Sequence, residues 1–205
     1  MASIEVSPTT GVLVTGAASG IGRACAVALA EAGRPVACWD LDSVGVEKVA
    51  SDVASRFGVA SCFAAIDVRE TARFDALVAD AREALGSLGG LVHAAGVSRV
   101  EPVDELDEEV WAAVLDVNLR AYPLLVRALL PDLRANAGSA VVGIASINAI
   151  LGNAANPAYG ASKAGLLGAS RSMADRLAED GVRVNSVCPG YVRTPMLQPG
   201  IDANP

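Results

Sequence analysis

The chain of 205 residues holds a single histidine, His93, and aromatic side chains make up only 4% of it. Basic residues are also short: 16 lysines and arginines face 23 aspartates and glutamates, for a formal net charge of −7. Phosphate backbones need a basic face, so nucleic acid is excluded as an expected partner. No apolar run is long enough to cross a bilayer, because Asp116, Arg120 and Arg127 interrupt the richest region, and no membrane partner is expected. The opening residues, MASIEVSPTT, lack the basic-then-apolar order of a secretory signal, so a cytoplasmic protein is expected. Cys25, Cys38, Cys62 and Cys188 show no C-x-x-C spacing and sit in apolar surroundings. They read as buried, reduced thiols, with no metal site expected. No linker, repeat or low-complexity stretch marks a boundary, so residues 1–205 read as one domain.

What the chain does have is small apolar residues. It is 52% hydrophobic, with 20 glycines. Such residues suit helices packed closely on a parallel sheet, with a thick core and buried subunit contacts. Apolar, β-rich runs predict strands at Gly11–Thr15, Pro35–Trp39 and Val59–Ile66, one beginning at Gly90–His93, then Ser139–Ile144 and Val182–Val187. Helical patterns predict Arg23–Ala32, Ser43–Phe57, Thr71–Leu85, Glu108–Arg134 and Asn156–Asp180. In the fourth of these, Pro123 is expected to kink the helix or end its first half. The acidic run Glu101–Glu109 reads as a solvated loop and helix start. This alternation predicts an α/β fold: a doubly wound parallel sheet of Rossmann type, in three αβα layers, with ligands at the carboxyl ends of the strands.

The glycine turn, Asp40, Asp67, Ala94–Gly96, Ser146 and Pro189–Thr194 all follow predicted strands and would line one edge of the sheet. Gly16-Ala-Ala-Ser19-Gly20-Ile21-Gly22 lies between strand and helix, where glycines let a backbone turn tightly and approach a pyrophosphate. Asp40, with Leu41 beside it, ends the second strand, where a carboxylate accepts ribose hydroxyls and repels a 2′-phosphate. No basic residue stands just before Gly20 or just after Asp40, which favours NAD over NADP; Asp42 is a nearby competitor for the role. Ala94, Ala95 and Gly96 would let a flat cofactor lie close to the backbone. His93, on an apolar strand, reads as a structural hydrogen-bonding group. Asn118 is an amide in an apolar helix and needs partners. Ser146 has no G-x-S-x-G turn around it, so it reads as a hydrogen-bond donor rather than a nucleophile. Tyr159 and Lys163 are four residues apart and share a helix face. A cation there is expected to lower the phenol pKa and make Tyr159 a usable acid/base.

Taken in order, the motifs are TGAASGIG (Thr15–Gly22), HAAG (His93–Gly96), DVNL (Asp116–Leu119), Ser146, Tyr159-x-x-x-Lys163 and Pro189-Gly190. Over nearly the whole chain this resembles the short-chain dehydrogenase/reductase family in its single-domain form. The resemblance implies that Tyr159 exchanges the proton of the alcohol or carbonyl oxygen. Lys163 would assist it and hold the nicotinamide ribose, Ser146 would bond the substrate oxygen, and Asn118 would hold a water linked to Lys163. It further implies adenine contacts at Asp67 and Val68, nicotinamide contacts at Val192 and Thr194, and dimers or tetramers built through the two long helices. Two features depart from the family pattern. His93 stands where asparagine is usual. The sequence stops at Pro205, before the usual substrate loop and last strand, so a further segment is expected. The expected activity is NAD-dependent hydride transfer on a secondary alcohol or ketone. The alternatives are a non-catalytic dinucleotide sensor and an NADP-dependent ketoacyl-type reductase. Ser98, Asn148, Leu151, Asn153, Tyr191 and Met196 are the substrate-pocket candidates.

Overall fold

The first strand, β1 (Gly11–Thr15), is buried at every position. A strand covered on both faces must be apolar on both, and β1 divides its side chains between two cores. Leu13 enters one, while Val12 and Val14 enter the other. This structure, a computed structural model, describes residues 9–198. Around β1 run β2 (Val36–Asp40), β3 (Ser61–Ala65), β4 (Leu88–His93), β5 (Ala140–Ile144) and β6 (Arg183–Val187), all parallel, in the order β3-β2-β1-β4-β5-β6. The order reverses between β1 and β4, which opens a crevice at their carboxyl ends. Thr15 and His93 face each other in register at that point.

Helices α1 (Gly20–Glu31) and α2 (Ser43–Phe57) cover one face, burying Ala26, Ala30, Val46 and Val53 on Val12, Val14 and Cys38. Helices α3 (Phe74–Leu85), α5 (Ala121–Ala135) and α6 (Pro157–Leu177) cover the other. Their Phe74, Leu125, Leu129 and Leu166 pack with Leu13, Leu91 and Trp39; the Trp39 and Phe74 rings lie 6.1 Å apart and tilted by 35°. Each fully buried side chain of this size contributes about 1.5–3 kcal/mol. The carboxylates of Asp42 and Asp107 cap α2 and α4 (Glu108–Leu115) by accepting from Gly45 N and Val110 N.

The sequence places a break in the long helix at Pro123, and the structure places it earlier. Helix α4 ends at Leu115, and residues Asp116–Arg120 form a wider π turn in which Ala121 N–H reaches back five residues to the Asp116 carbonyl. Pro123 follows the π turn as the third residue of α5, and the helical backbone runs through it to Ala135. Elsewhere the corrections are shifts of boundary. Strand β4 starts at Leu88, α3 is entered through a 3₁₀ turn at Thr71–Arg73, and α6 ends at Leu177. Of the four cysteines, all free, only Cys38 is buried and the other three are half-buried. Burial, the largest cause, raises Cys38 to about 12 and Cys62 to about 11, which keeps both as unreactive thiols.

Candidate active site

The glycine turn links β1 to α1 and lies against the turn after β4. Gly16 has φ +69°, and a Cβ there would stand 2.8 Å from Ala95 N. A Cβ on Gly22 would stand 2.1 Å from the Gly16 carbonyl oxygen, so the turn closes only with glycine at that position. Ser19 precedes α1 with extended backbone and no side-chain cap, and the first turn of α1 carries no acidic residue. Its amides and dipole are therefore available to an anion. Arg23 and Arg193 line the cleft beside Ser19 and Gly20. Thr194 folds over the turn, its Cγ2 3.2 Å from where a Gly20 Cβ would be.

Asp40 faces this turn from the end of β2. Its Oδ2 accepts from Ala18 N at 2.9 Å and its Oδ1 from Asp42 N at 3.0 Å. Asp42 instead caps α2, so the structure separates the two competing carboxylates. Leu41 is 71% exposed beside Asp40. At the end of β3, the Asp67 carboxylate is paired with Arg69, and Val68 turns its side chain into the core. A dinucleotide thus fits the residues present: a turn that closes only with glycine at Gly22, uncapped helix amides, and a carboxylate beside them at the end of β2.

Thr15, which the sequence reading did not single out, organises the switch point. Its Oγ1 accepts from Ala94 N at 3.2 Å and Ala95 N at 3.1 Å, so its own proton goes to His93 Nδ1, 3.1 Å away. The proton of His93 then sits on Nε2. That atom faces the Val117 carbonyl of the π turn without closing a hydrogen bond of good geometry. Burial first, and the Lys163 charge second, push His93 down to about 3. Stacked on Tyr122 at 5.2 Å, it is a neutral structural group, as its strand position predicts.

Across the crevice, Ser146 ends the run from β5, and its hydroxyl accepts from Asn148 N at 3.2 Å. Helix α6 enters at Asn156–Pro157 and presents Tyr159 and Lys163 on one face, with Lys163 Nζ 5.6 Å from the Tyr159 ring centre. Lys163 is 4% exposed and donates to the Ile144 carbonyl at 2.8 Å; burial lowers it to about 8. Tyr159 departs from expectation. Burial raises its pKa, and only a hydrogen bond with Ser146 opposes the rise. The predicted lowering by Lys163 does not appear, because the ammonium is turned to the Ile144 carbonyl and lies under the ring rather than at the phenol oxygen.

Asn118 is fully buried on the π turn. It donates to Ser162 Oγ at 3.0 Å, and Ser162 in turn donates to the Tyr159 carbonyl at 2.7 Å. Gly96 leaves the space between them: a Cβ there would stand 3.3 Å from both Asn118 Oδ1 and Lys163 Nζ. Ser162, three residues after Tyr159, is a second group that the motif reading did not assign. Its signal is a small hydroxyl on the buried face of α6. Pro189 accepts from Ile147 N at 2.9 Å, which ties the loop holding Gly190 and Val192 to Ser146's neighbour.

The substrate-pocket candidates divide. Ser98 Oγ accepts from Asn156 Nδ2 at 3.2 Å. Asn153 spends its side chain on Ala155 N in its own turn. Leu151, Tyr191 and Met196 expose 58%, 91% and 51% of their surface, and Asn148 is half-buried beside Ser146. No helix among the described residues is long and apolar enough to cross a membrane.

Comparison with known proteins agrees with this geometry. The family model for short chain dehydrogenases matches residues 10–204. The cis-4-hydroxycyclohexanecarboxylate dehydrogenase of Sinomonas cyclohexanicum is 37% identical over 186 residues, 90% of this chain and 74% of that protein. A 3-oxoacyl-[acyl-carrier-protein] reductase of Thermotoga maritima is 30% identical over 186 residues, 91% of this chain and 75% of that one. The crystal structure of L-sorbose reductase from Gluconobacter frateurii, complexed with NADPH and L-sorbose, superposes with a TM-score of 0.87 at 31% identity, covering 91% of this chain and 71% of that one. With its six parallel strands wound on both faces and its ordered glycine, serine and tyrosine–lysine motifs, the chain belongs to the short-chain dehydrogenase family of oxidoreductases.

Proposed function

We propose that this chain is an NAD-dependent oxidoreductase acting on a secondary alcohol or the matching ketone. The observation that carries the reading is the grouping of Ser146, Tyr159 and Lys163 across the crevice from a glycine cradle. A bound nicotinamide would give or take the hydride. Tyr159 O–H protonates the carbonyl oxygen in reduction and takes the proton back in oxidation. Ser146 donates to that same oxygen and holds it against Tyr159. Lys163, held beneath the ring, supplies positive charge and donors toward the ribose. Asn118 fixes α6 to the turn after β4 and orders a water toward Lys163. The cofactor set is Gly16, Ser19, Gly20, Ile21, Gly22, Asp40, Leu41, Asp67, Val68, Ala94, Ala95, Gly96, Pro189, Gly190, Val192 and Thr194.

Asp40 supports NAD, since a carboxylate at the ribose disfavours a 2′-phosphate. The NADP-dependent ketoacyl-type alternative draws support from the Thermotoga maritima relative and from the NADPH in the L-sorbose reductase structure. Residues 1–205 are read as one domain, working in the cytoplasm as a homodimer or homotetramer. The test is a panel of secondary alcohols with NAD and NADP, and of ketones with NADH and NADPH, run on wild type and Tyr159→Phe. Turnover with NAD(H) that vanishes in the variant supports the reading. Equal turnover in both proteins contradicts it.

A further inference from the structure

Two loops at the carboxyl ends of the strands are tied to each other, and the tie leaves two oxygens without a hydrogen. One loop follows β4 and the other leads from β5 to α6. Glu101 N donates to the Ala155 carbonyl at 2.7 Å, and Asn156 Nδ2 donates to Ser98 Oγ at 3.2 Å. Glu101 Oε2 and Asn156 Oδ1 are both buried, and no donor among the described residues reaches either. An acceptor left this way costs about 1–3 kcal/mol, and more where it is charged. Ser98, Glu101 and Asn156 are each half-buried as residues, so they belong to the wall of the crevice and not to the core. The pair of oxygens therefore calls for a donor that the chain does not supply.

Their place says which molecule brings it. Asn156 stands three residues before Tyr159, and its carbonyl accepts from Gly160 N at 3.1 Å, so it lies one turn from Tyr159 on the same face of α6. Ser98 follows Val97, which Asn118 holds beside Gly96 and Lys163. The hydroxyl proton of Ser98 goes to no acceptor among the described residues. The three side chains thus present two acceptors and one donor. A hydroxyl answers both kinds, because it gives one proton and accepts another. A carboxylate brings no proton to either acceptor, and Glu101 repels it. The one basic side chain on these loops, Arg99, is exposed. We propose that Ser98, Glu101 and Asn156 form a subsite for a second hydroxyl of the substrate, so that the preferred substrate is a diol or hydroxyketone. This rests on the oxidoreductase reading above. Glu101 is the specificity-determining residue, since its bond to the hydroxyl is the charge-assisted one.

The test compares 2-butanol with 2,3-butanediol, and 2-pentanol with 2,4-pentanediol, as substrates of the purified protein with NAD and with NADP. It is run on wild type, Glu101→Leu and Glu101→Gln. Glu101 lies on a loop outside both cores, so the variants should keep the fold, which circular dichroism checks. The expected result is a wild-type kcat/KM for at least one diol about tenfold or more above that of its monoalcohol. Glu101→Leu should reduce that ratio to about twofold or less, and Glu101→Gln, which keeps an oxygen acceptor without the charge, should fall between. A wild-type advantage of about twofold or less for both diols, or a ratio identical in wild type and Glu101→Leu, overturns this inference and leaves the oxidoreductase reading standing. No turnover of any of these alcohols by wild type overturns both.

Discussion

Asn118 and Val97 are bonded in both directions: Asn118 Oδ1 accepts from Val97 N at 2.8 Å, and Asn118 Nδ2 donates to the Val97 carbonyl at 2.9 Å. One side chain therefore completes the backbone of the turn after β4, as a neighbouring strand would. The same amide reaches Ser162 Oγ, which holds the Tyr159 carbonyl. A residue of the π turn thus fixes the distance between the cofactor-side turn and the tyrosine helix. Asn118→Leu keeps the volume and orphans buried groups, each costing about 1–3 kcal/mol. We expect a loss of stability of that order, read by urea midpoint, together with a fall in kcat. Unchanged midpoint and kcat would mean the two-way bond is dispensable.

Tyr159→Phe removes only the phenol oxygen, the acid/base of the proposed function. Turnover should fall by about a hundredfold to ten-thousandfold. NADH affinity should stay within about twofold, because the ring and its place over Lys163 survive. Steady-state kinetics and a parallel NADH titration separate the two quantities.

Lys163 predicts a pH signature in stability. Burial lowers its pKa from 10.5 to about 8, so charging it is disfavoured in the folded state. The destabilisation is therefore complete below about pH 8 and fades as pH rises toward 10.5. Relative to Lys163→Met, the wild-type protein should gain roughly 3 kcal/mol between pH 7 and 10.5. Chemical denaturation of both proteins across that range measures the difference. A flat difference would mean that Lys163 is not charged against its burial.

Asp40→Asn keeps an oxygen for Ala18 N and removes the charge. The ratio of NADPH to NADH affinity should then move toward NADPH by about tenfold, with little change in fold stability. A ratio that does not move would remove Asp40 as the discriminating group.

Gly22→Ala places a methyl 2.1 Å from the Gly16 carbonyl oxygen, within the backbone of the turn. Overpacking of this kind costs about 1–3 kcal/mol, and here it also opens the cradle. Lower thermal stability and loss of NADH binding are expected together. A variant that binds NADH as the wild type does would show that the turn yields without cost.

The layered fold was legible because each buried strand is a short apolar run and each helix keeps its spacing: β1 and α2 fall where the pattern puts them. The pairing of Tyr159 and Lys163 was legible because they are neighbours on one helix, where spacing dictates proximity. What was not legible depends on contacts between distant segments. Thr15 meets His93 across 78 positions, and Lys163 turns to a carbonyl on β5 that no motif records. The π turn was hidden because Pro123 is the louder local signal, although helical backbone continues through it. The Tyr159 shift was misjudged because spacing tells which groups are near and not which way an ammonium points.

The proposed function stands on a dinucleotide site built on the glycine turn and selected by Asp40. Its most direct test is equilibrium binding of NADH and NADPH to the purified chain, followed by nucleotide fluorescence. Saturable binding of both, with NADH about tenfold tighter or more, is the result predicted. Tighter binding of NADPH, or no saturable binding of either, would contradict it.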